Sequence, residues 1–205
     1  MYVPSKFLLD ELAAWEVVRE AGAGMLVVAT DEGLASVFVP VVVKSDYSSL
    51  TTHVARANPW WKNVTDDSDV LAIFLAASAY VTPSYYPSRY EQPGVVPTWN
   101  YVAVEVRGTV TVRDDAEWTS HQVRDATSTF ERKRSPQWYV DDAPADFIEK
   151  QLRAIVGLEI TVSSIEGKSK LSQNRPQIDH GSVRDHLAEG SLAEQNVAAR
   201  MHDDP

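Results

Sequence analysis

The segment Asn100-Tyr101-Val102-Ala103-Val104-Glu105-Val106-Arg107-Gly108-Thr109-Val110-Thr111-Val112 decides how this chain folds. Val102, Val104 and Val106 fall on one side of an extended backbone and Ala103, Glu105 and Arg107 on the other, the period of two that a half-buried strand requires. Gly108 predicts a bulge before Val110 and Val112. Downstream, Leu158, Ile160 and Val162 repeat the alternation against Glu159, Thr161 and Ser163. Upstream, Met25 to Thr30 and Ala35 to Val43 flank the turn residues Asp31-Glu32-Gly33 and read as a hairpin. Pro40 removes a ladder donor, which puts that second strand at an edge or bulges it there. Ser49 to Val54 and Val70 to Ala76 read as further strands.

Helical patterns are fewer. Leu8, Leu12, Trp15 and Val18 predict a first helix starting near Ser5 or Asp10 and stopping at Ala21-Gly22. Asp114 to Lys133 and Ala145 to Ile155 read as helices between the two clearest strands. Ser182 to Met201 predicts a last one, interrupted at Gly190. Six or seven alternating strands, short turns and few helices favour a mainly β, antiparallel, closed or partly closed barrel with peripheral helices over a βαβ sheet. Residues 1–178 are expected to form the barrel domain with its inserted helices. Residues 179–205, with six acids and two bases, form an acidic helical tail whose plainest fate is a solvated, partly frayed end.

Composition narrows the chemistry. The 205 residues contain no cysteine, which removes disulfides, thiolate metal sites, iron–sulfur clusters and a cysteine nucleophile. Five histidines show no metal-ligand spacing, and neither a glycine-rich nucleotide loop nor a GxSxG elbow is present. The net charge of −10 opposes a DNA-coating surface. The N-terminal apolar run is cut by Asp10 and Glu11, and Val70 to Val81 is too short to span a bilayer, so a cytoplasmic protein without membrane contact is expected.

Three stretches stand out. His53-Val54-Ala55-Arg56-Ala57-Asn58-Pro59-Trp60-Trp61-Lys62 carries two bases and no acid at a strand end. Arg56 and Lys62 suit a phosphate there, yet pairing with Asp66, Asp67 or Asp69 on the surface is the commoner outcome for such residues. Tyr80 to Pro87 and Val96 to Tyr101 are dense in aromatics, which stack on flat ligands but more often fill cores or dimer contacts. Gly167 to Arg175 holds three bases and no acid, most often a solvated run.

Those stretches also carry a resemblance. Met1-Tyr2-Val3-Pro4 with Phe7, then HVARANPWW, VLAIF, AYVTPSYYPS, VVPTWNY, AIVGLEI and IEGKSKLSQNR occur in order, and from Met1 to about Leu187 the chain resembles the PaiB-like FMN-binding negative transcriptional regulators. The resemblance implies a split β-barrel related to the pyridoxamine-phosphate-oxidase-like flavoproteins, a homodimer with FMN in clefts between the chains. It implies Arg56, Asn58 and Lys62 as phosphate contacts, with His53 and Ala55 beside the flavin. Val37, Phe38, Val39 and Pro40 would lie along the isoalloxazine ring, while Trp99, Asn100, Gln173 and Asn174 would reach the partner chain's cofactor. The chain departs from the pattern at Phe38, Ser78 and Tyr85, which stand where His, His and Trp are expected.

A family of regulators implies a route to DNA, but no helix-turn-helix is legible here. Indirect regulation through flavin-linked redox or sensing is therefore the leading expectation. Two others stand beside it: a DNA-contacting repressor using Arg132-Lys133-Arg134 and the Gly167 to Arg175 run, and a barrel that has lost FMN and serves as an interaction module.

Overall fold

In the computed structural model, which describes residues 1–65, 67–91 and 94–202, the alternation read from Asn100 to Val112 becomes the middle of a 16-residue strand. Helix α1 (Glu11–Ala21) is followed by β1 (Ala23–Thr30), β2 (Gly33–Pro40), β3 (Val42–Val43), β4 (Ser49–Ala55), β5 (Ser68–Val81) and β6 (Thr98–Arg113). Helices α2 (Ala116–Glu131) and α3 (Ala145–Arg153) precede β7 (Ile155–Lys170), and α4 (Gln177–Ala188) and α5 (Leu192–Ala198) end the described chain. The seven strands form one sheet in the order β2-β1-β5-β6-β7-β4-β3. Adjacent strands run antiparallel, as in the β1–β2, β1–β5, β3–β4 and β4–β7 registers.

The chain divides into two compact units. One comprises Val18–Phe74 and Glu105–Ile165, the other Met1–Val17, Leu75–Val104 and Glu166–Pro205. In the first unit β2 and β3 lie at opposite ends of the strand order, yet a single residue, Val41, joins them. Thr52 Oγ1 on β4 donates to the Pro40 carbonyl at 2.5 Å, so the sheet curls until its two ends meet. This is the split β-barrel expected from the sequence. Pro40 ends β2, as its missing N–H requires, and splits the single strand read over Ala35 to Val43.

Leu50, Thr52 and Val54 of β4, Val106 and Val110 of β6, and Val156, Leu158 and Ile160 of β7 point inward and are buried. The opposite face of β4 carries Thr51, His53 and Ala55. Trp118 of α2 rests on β7 at Gly157, where a Cβ would stand 2.2 Å from the indole. In the second unit the acidic tail is folded: Asp179, His180, Val183 and Leu187 of α4 and Val197 and Ala198 of α5 are buried, so a frayed end does not describe residues 177–202. The last three residues of the expected tail lie outside the described residues. Helix α1 uses Ala14, Trp15, Val17 and Val18 as its buried face, and Leu8 and Leu12 are exposed. Leu8 precedes the helix and instead bridges to Lys168.

Candidate functional site

Residues 53–62 leave the end of β4 and enter a 3-10 turn, Pro59–Asn63. Asn58 caps that turn, its side-chain oxygen accepting from the Trp60 N–H at 3.0 Å, and the Trp61 indole N–H donates to the Arg56 carbonyl at 3.1 Å. The Arg56 guanidinium is committed on every side. Its two terminal nitrogens donate to Asp114 at 2.9 and 2.5 Å, Nε donates to the Arg153 carbonyl at 2.9 Å, and Nη2 also reaches the Ile155 carbonyl at 3.1 Å. Arg56 thus ties the end of β4 to the α3–β7 corner and to the chain entering α2. The cleft beside it also holds Asp115 and the Glu149–Arg153 ion pair. Ion pairing is the outcome foreseen as commonest for this segment, but with Asp114. Of the three aspartates named for it, Asp66 lies outside the described residues.

Hydrogen bonding from Arg56 holds the Asp114 carboxyl below the usual carboxylate range, against a smaller upward push from burial. The sign of the pH dependence follows. The pair's contribution is complete above the ordinary carboxylate range and is lost only as pH falls below it, through the lowered value. In acid-titrated thermal melts, Asp114→Asn should be less stable than the parent at neutral pH. The gap should close only at the acid end; a gap that closed near neutrality would assign the effect to another group.

Lys62 follows a different course. It lies exposed over the Trp61 ring, 5.7 Å from its centroid, and holds no carboxylate among the described residues. His53 turns outward from the barrel and meets Gln122 of α2 at 2.8 Å. Along β2, Val39 is buried and Phe38 is 67% exposed. Phe38 pairs across β1 with Met25, and Met25 with Ile73 of β5, so three apolar side chains on one outward face form a stripe open to solvent. The 3-10 turn bearing Lys62 packs against β2, and Pro40 is tied to β4, so Val37 to Pro40 and residues 53–62 are brought together.

In the other unit, Trp99, Asn100 and Gln173 gather with Lys170 and Ser172 of the basic run Gly167 to Arg175. Lys170 Nζ donates to the Thr98 hydroxyl and to the Trp99 carbonyl, and Ser172 Oγ donates to the Asn100 side-chain oxygen at 3.1 Å. Trp99 remains 54% exposed and meets Tyr80 edge to face at 6.1 Å. Asn100 is buried, and Gln173 is spent on its own turn, accepting from the Leu171 N–H and donating to the Ser169 carbonyl. Asn174 is exposed. The sequence carried no sign of Asp114, Gln122, Met25 or Ile73 as neighbours of the site, because each is placed by long-range strand or helix packing.

The family model described as "Putative FMN-binding domain" matches residues 1–164. The chain belongs to this FMN-binding domain family. A relative, "Protease synthase and sporulation protein PAI 2" of Bacillus subtilis, is 32% identical over 191 residues, covering 91% of this chain and 89% of the relative. Among solved structures, the flavocytochrome Anf3 of Azotobacter vinelandii is similar with a TM-score of 0.59 at 10% identity, over 88% of this chain and 78% of that one. The FAD and heme binding protein of Mycobacterium smegmatis gives 0.58 at 14% identity, over 93% and 78%. At such identities these two speak for the fold alone.

FMN, the cofactor of the FMN-binding domain family, asks for an apolar surface for its ring and cations for its phosphate. The stripe of Phe38, Met25 and Ile73, beside a turn carrying the uncommitted Lys62, fits both demands. Arg56 fits less directly, since a phosphate must replace the Asp114 carboxylate in its fork. Among the described residues no cluster of His, Asp and Glu could hold a metal ion, and no helix is long and apolar enough to cross a membrane.

Proposed function

We propose that this FMN-binding protein works as a homodimer that reports or uses the state of its flavin, and that its part in regulation is indirect. When bound, FMN supplies electron-transfer chemistry, and the protein holds its phosphate, shields its ring and excludes water. The observation that carries the reading is the exposed apolar stripe on β2, β1 and β5, with the turn that bears Lys62 packed against β2. The ring rests along Val37 to Pro40, with Phe38 outward, and a second copy of the chain covers it with its exposed Trp99 and Asn174, which the buried Asn100 and the turn held by Gln173 support from behind. His53 and Ala55 border the ring from β4. Asn58 and Lys62 take the phosphate, and Arg56 joins them by exchanging Asp114 for a phosphate oxygen. The net charge of −10 favours indirect regulation over direct contact with DNA.

The visible spectrum of the purified protein with added FMN tests the reading. Bound FMN shifts the flavin bands and quenches its fluorescence, whereas unchanged bands at every ratio reject the proposal. Lys62→Ala should weaken FMN about tenfold, the scale of one partly exposed charge-assisted contact, and leave riboflavin binding unchanged. Equal losses for both ligands would move Lys62 from the phosphate to the ring.

A further inference from the structure

Beneath the C-terminal half of α2 the first unit opens a cleft of about 590 Å³. Arg19, Lys44 and Arg132 line it with Phe130, and Asp125 is the one carboxylate on its wall. Three cations against one anion are notable in a chain of net charge −10. Elsewhere in the unit the arginines meet the acidic surplus directly, as Arg113 does with Glu159, Arg124 with Asp141 and Arg153 with Glu149. Arg124 and Arg132 make the contrast within one stretch of chain, since the first is neutralised and the second is left facing the cleft. Among the described residues, none of Arg19, Lys44 and Arg132 stands within ion-pair distance of a carboxylate; Asp46, the acid that Lys44 acts on electrostatically, spends its carboxylate on Ser48.

The wall is also shaped in advance. Arg19 lies over the Tyr47 ring, 4.5 Å from its centroid, and donates to its phenol oxygen at 3.0 Å, which fixes the planar fork without spending its charge. Tyr47 itself adopts a left-handed backbone, φ 60°, at the turn closed by its N–H to the Lys44 carbonyl. Such a conformation is costly for a bulky side chain. Phe130 closes the apolar side of the cleft and packs on Gly22, where a Cβ would stand 3.0 Å from its ring.

We propose that this cleft is a binding site for a small organic anion, its phosphate or carboxylate held by Arg19, Lys44 and Arg132 and its apolar body lying against Phe130. The site is separate from the one proposed for FMN and does not depend on it. Unneutralised cations beside an apolar wall recognise that chemistry because an anion gains charge-assisted bonds while its hydrocarbon part leaves water.

Titration calorimetry on the full chain, first without added FMN and then after saturation with it, using phenyl phosphate and benzoate as probes, tests the proposal and tells the two anion types apart. At least one probe should bind, more weakly as salt rises. Lys44→Gln and Arg132→Gln should each weaken it roughly three- to tenfold, discounted for their exposure. Asp125→Asn should tighten it, a gain that damage to the fold does not mimic. The proposal is overturned if neither probe binds, if the lysine and arginine variants bind as the parent does, or if FMN displaces the probe, which would make the cleft the cofactor's own.

Discussion

Gly108→Ala should lower the melting temperature by roughly 6–12 °C, the equivalent of about 3 kcal/mol in a chain of this size. A Cβ at Gly108 would stand 2.0 Å from the Thr161 carbonyl oxygen and 3.2 Å from the Ile160 side chain. The nearer atom is backbone and has no rotamer to escape into. The approach is close because β6 and β7 are neighbours in the barrel, where Ser163 Oγ also donates to the Arg107 carbonyl at 3.1 Å. To admit a methyl group, the strands must separate or Thr161, which pairs with Ser49 of β4, must shift and disturb the next register as well. Gly181→Ala is the control: on α4 the added methyl meets nothing within 4 Å, and replacing a helical glycine should raise stability by about 0.5–1 kcal/mol. Thermal melts of the two variants check both signs, and a Gly108→Ala protein melting with the parent would mean that the strands are free to part.

The same strand shows how far the sequence could be read. The alternation of Val102 to Val112 was plain because one face of β6 is apolar and the other carries Glu105 and Arg107. In β5 the expectation stopped at Ala76 although the strand runs to Val81, since Leu75, Ala77 and Tyr80 make both faces apolar or aromatic and erase the period. The bulge expected at Gly108 does not break the strand: β6 runs through it with Val106 and Val110 in the same buried phase, and the close approach of the Thr161 carbonyl is what requires a glycine there. For the site, local grammar failed where partners are distant. The nearest acids to Arg56 in sequence were the natural candidates, but pairing of Ala55 with Ile155 brings Arg153 and Ile155 beside it, and Asp114 follows β6 into the same corner. The acidic tail misled for a related reason. Its charge says solvent, while Val183 and Leu187, one helical turn apart, bury a stripe that composition averages away.

Phe38→Asp should separate the proposed dimer, raising its dissociation constant by at least about a hundredfold and carrying FMN affinity down with it. Phe38 is 67% exposed at the centre of the outward face of β2, flanked across the sheet by Met25 and Ile73, each 37% exposed, with Leu34 farther along the strand at 81%. An edge strand bearing such a row presents unpaired backbone and apolar surface together, an arrangement proteins leave open only when something covers it. If a second copy does so about a twofold axis, every substitution enters the interface twice. A buried aromatic replaced by a carboxylate costs roughly 1.5–2 kcal/mol or more per copy, so two copies give about 3–4 kcal/mol, or more than a hundredfold. Within one chain the residue supports nothing, because Val39 and not Phe38 is the buried neighbour on β2. The variant should therefore melt, as a monomer, close to any monomeric form of the parent. Light scattering across the micromolar range reads the association and flavin fluorescence reads the cofactor. A variant that stays dimeric places the interface elsewhere, and one that dissociates yet keeps its FMN affinity shows that a single chain is enough to hold the flavin.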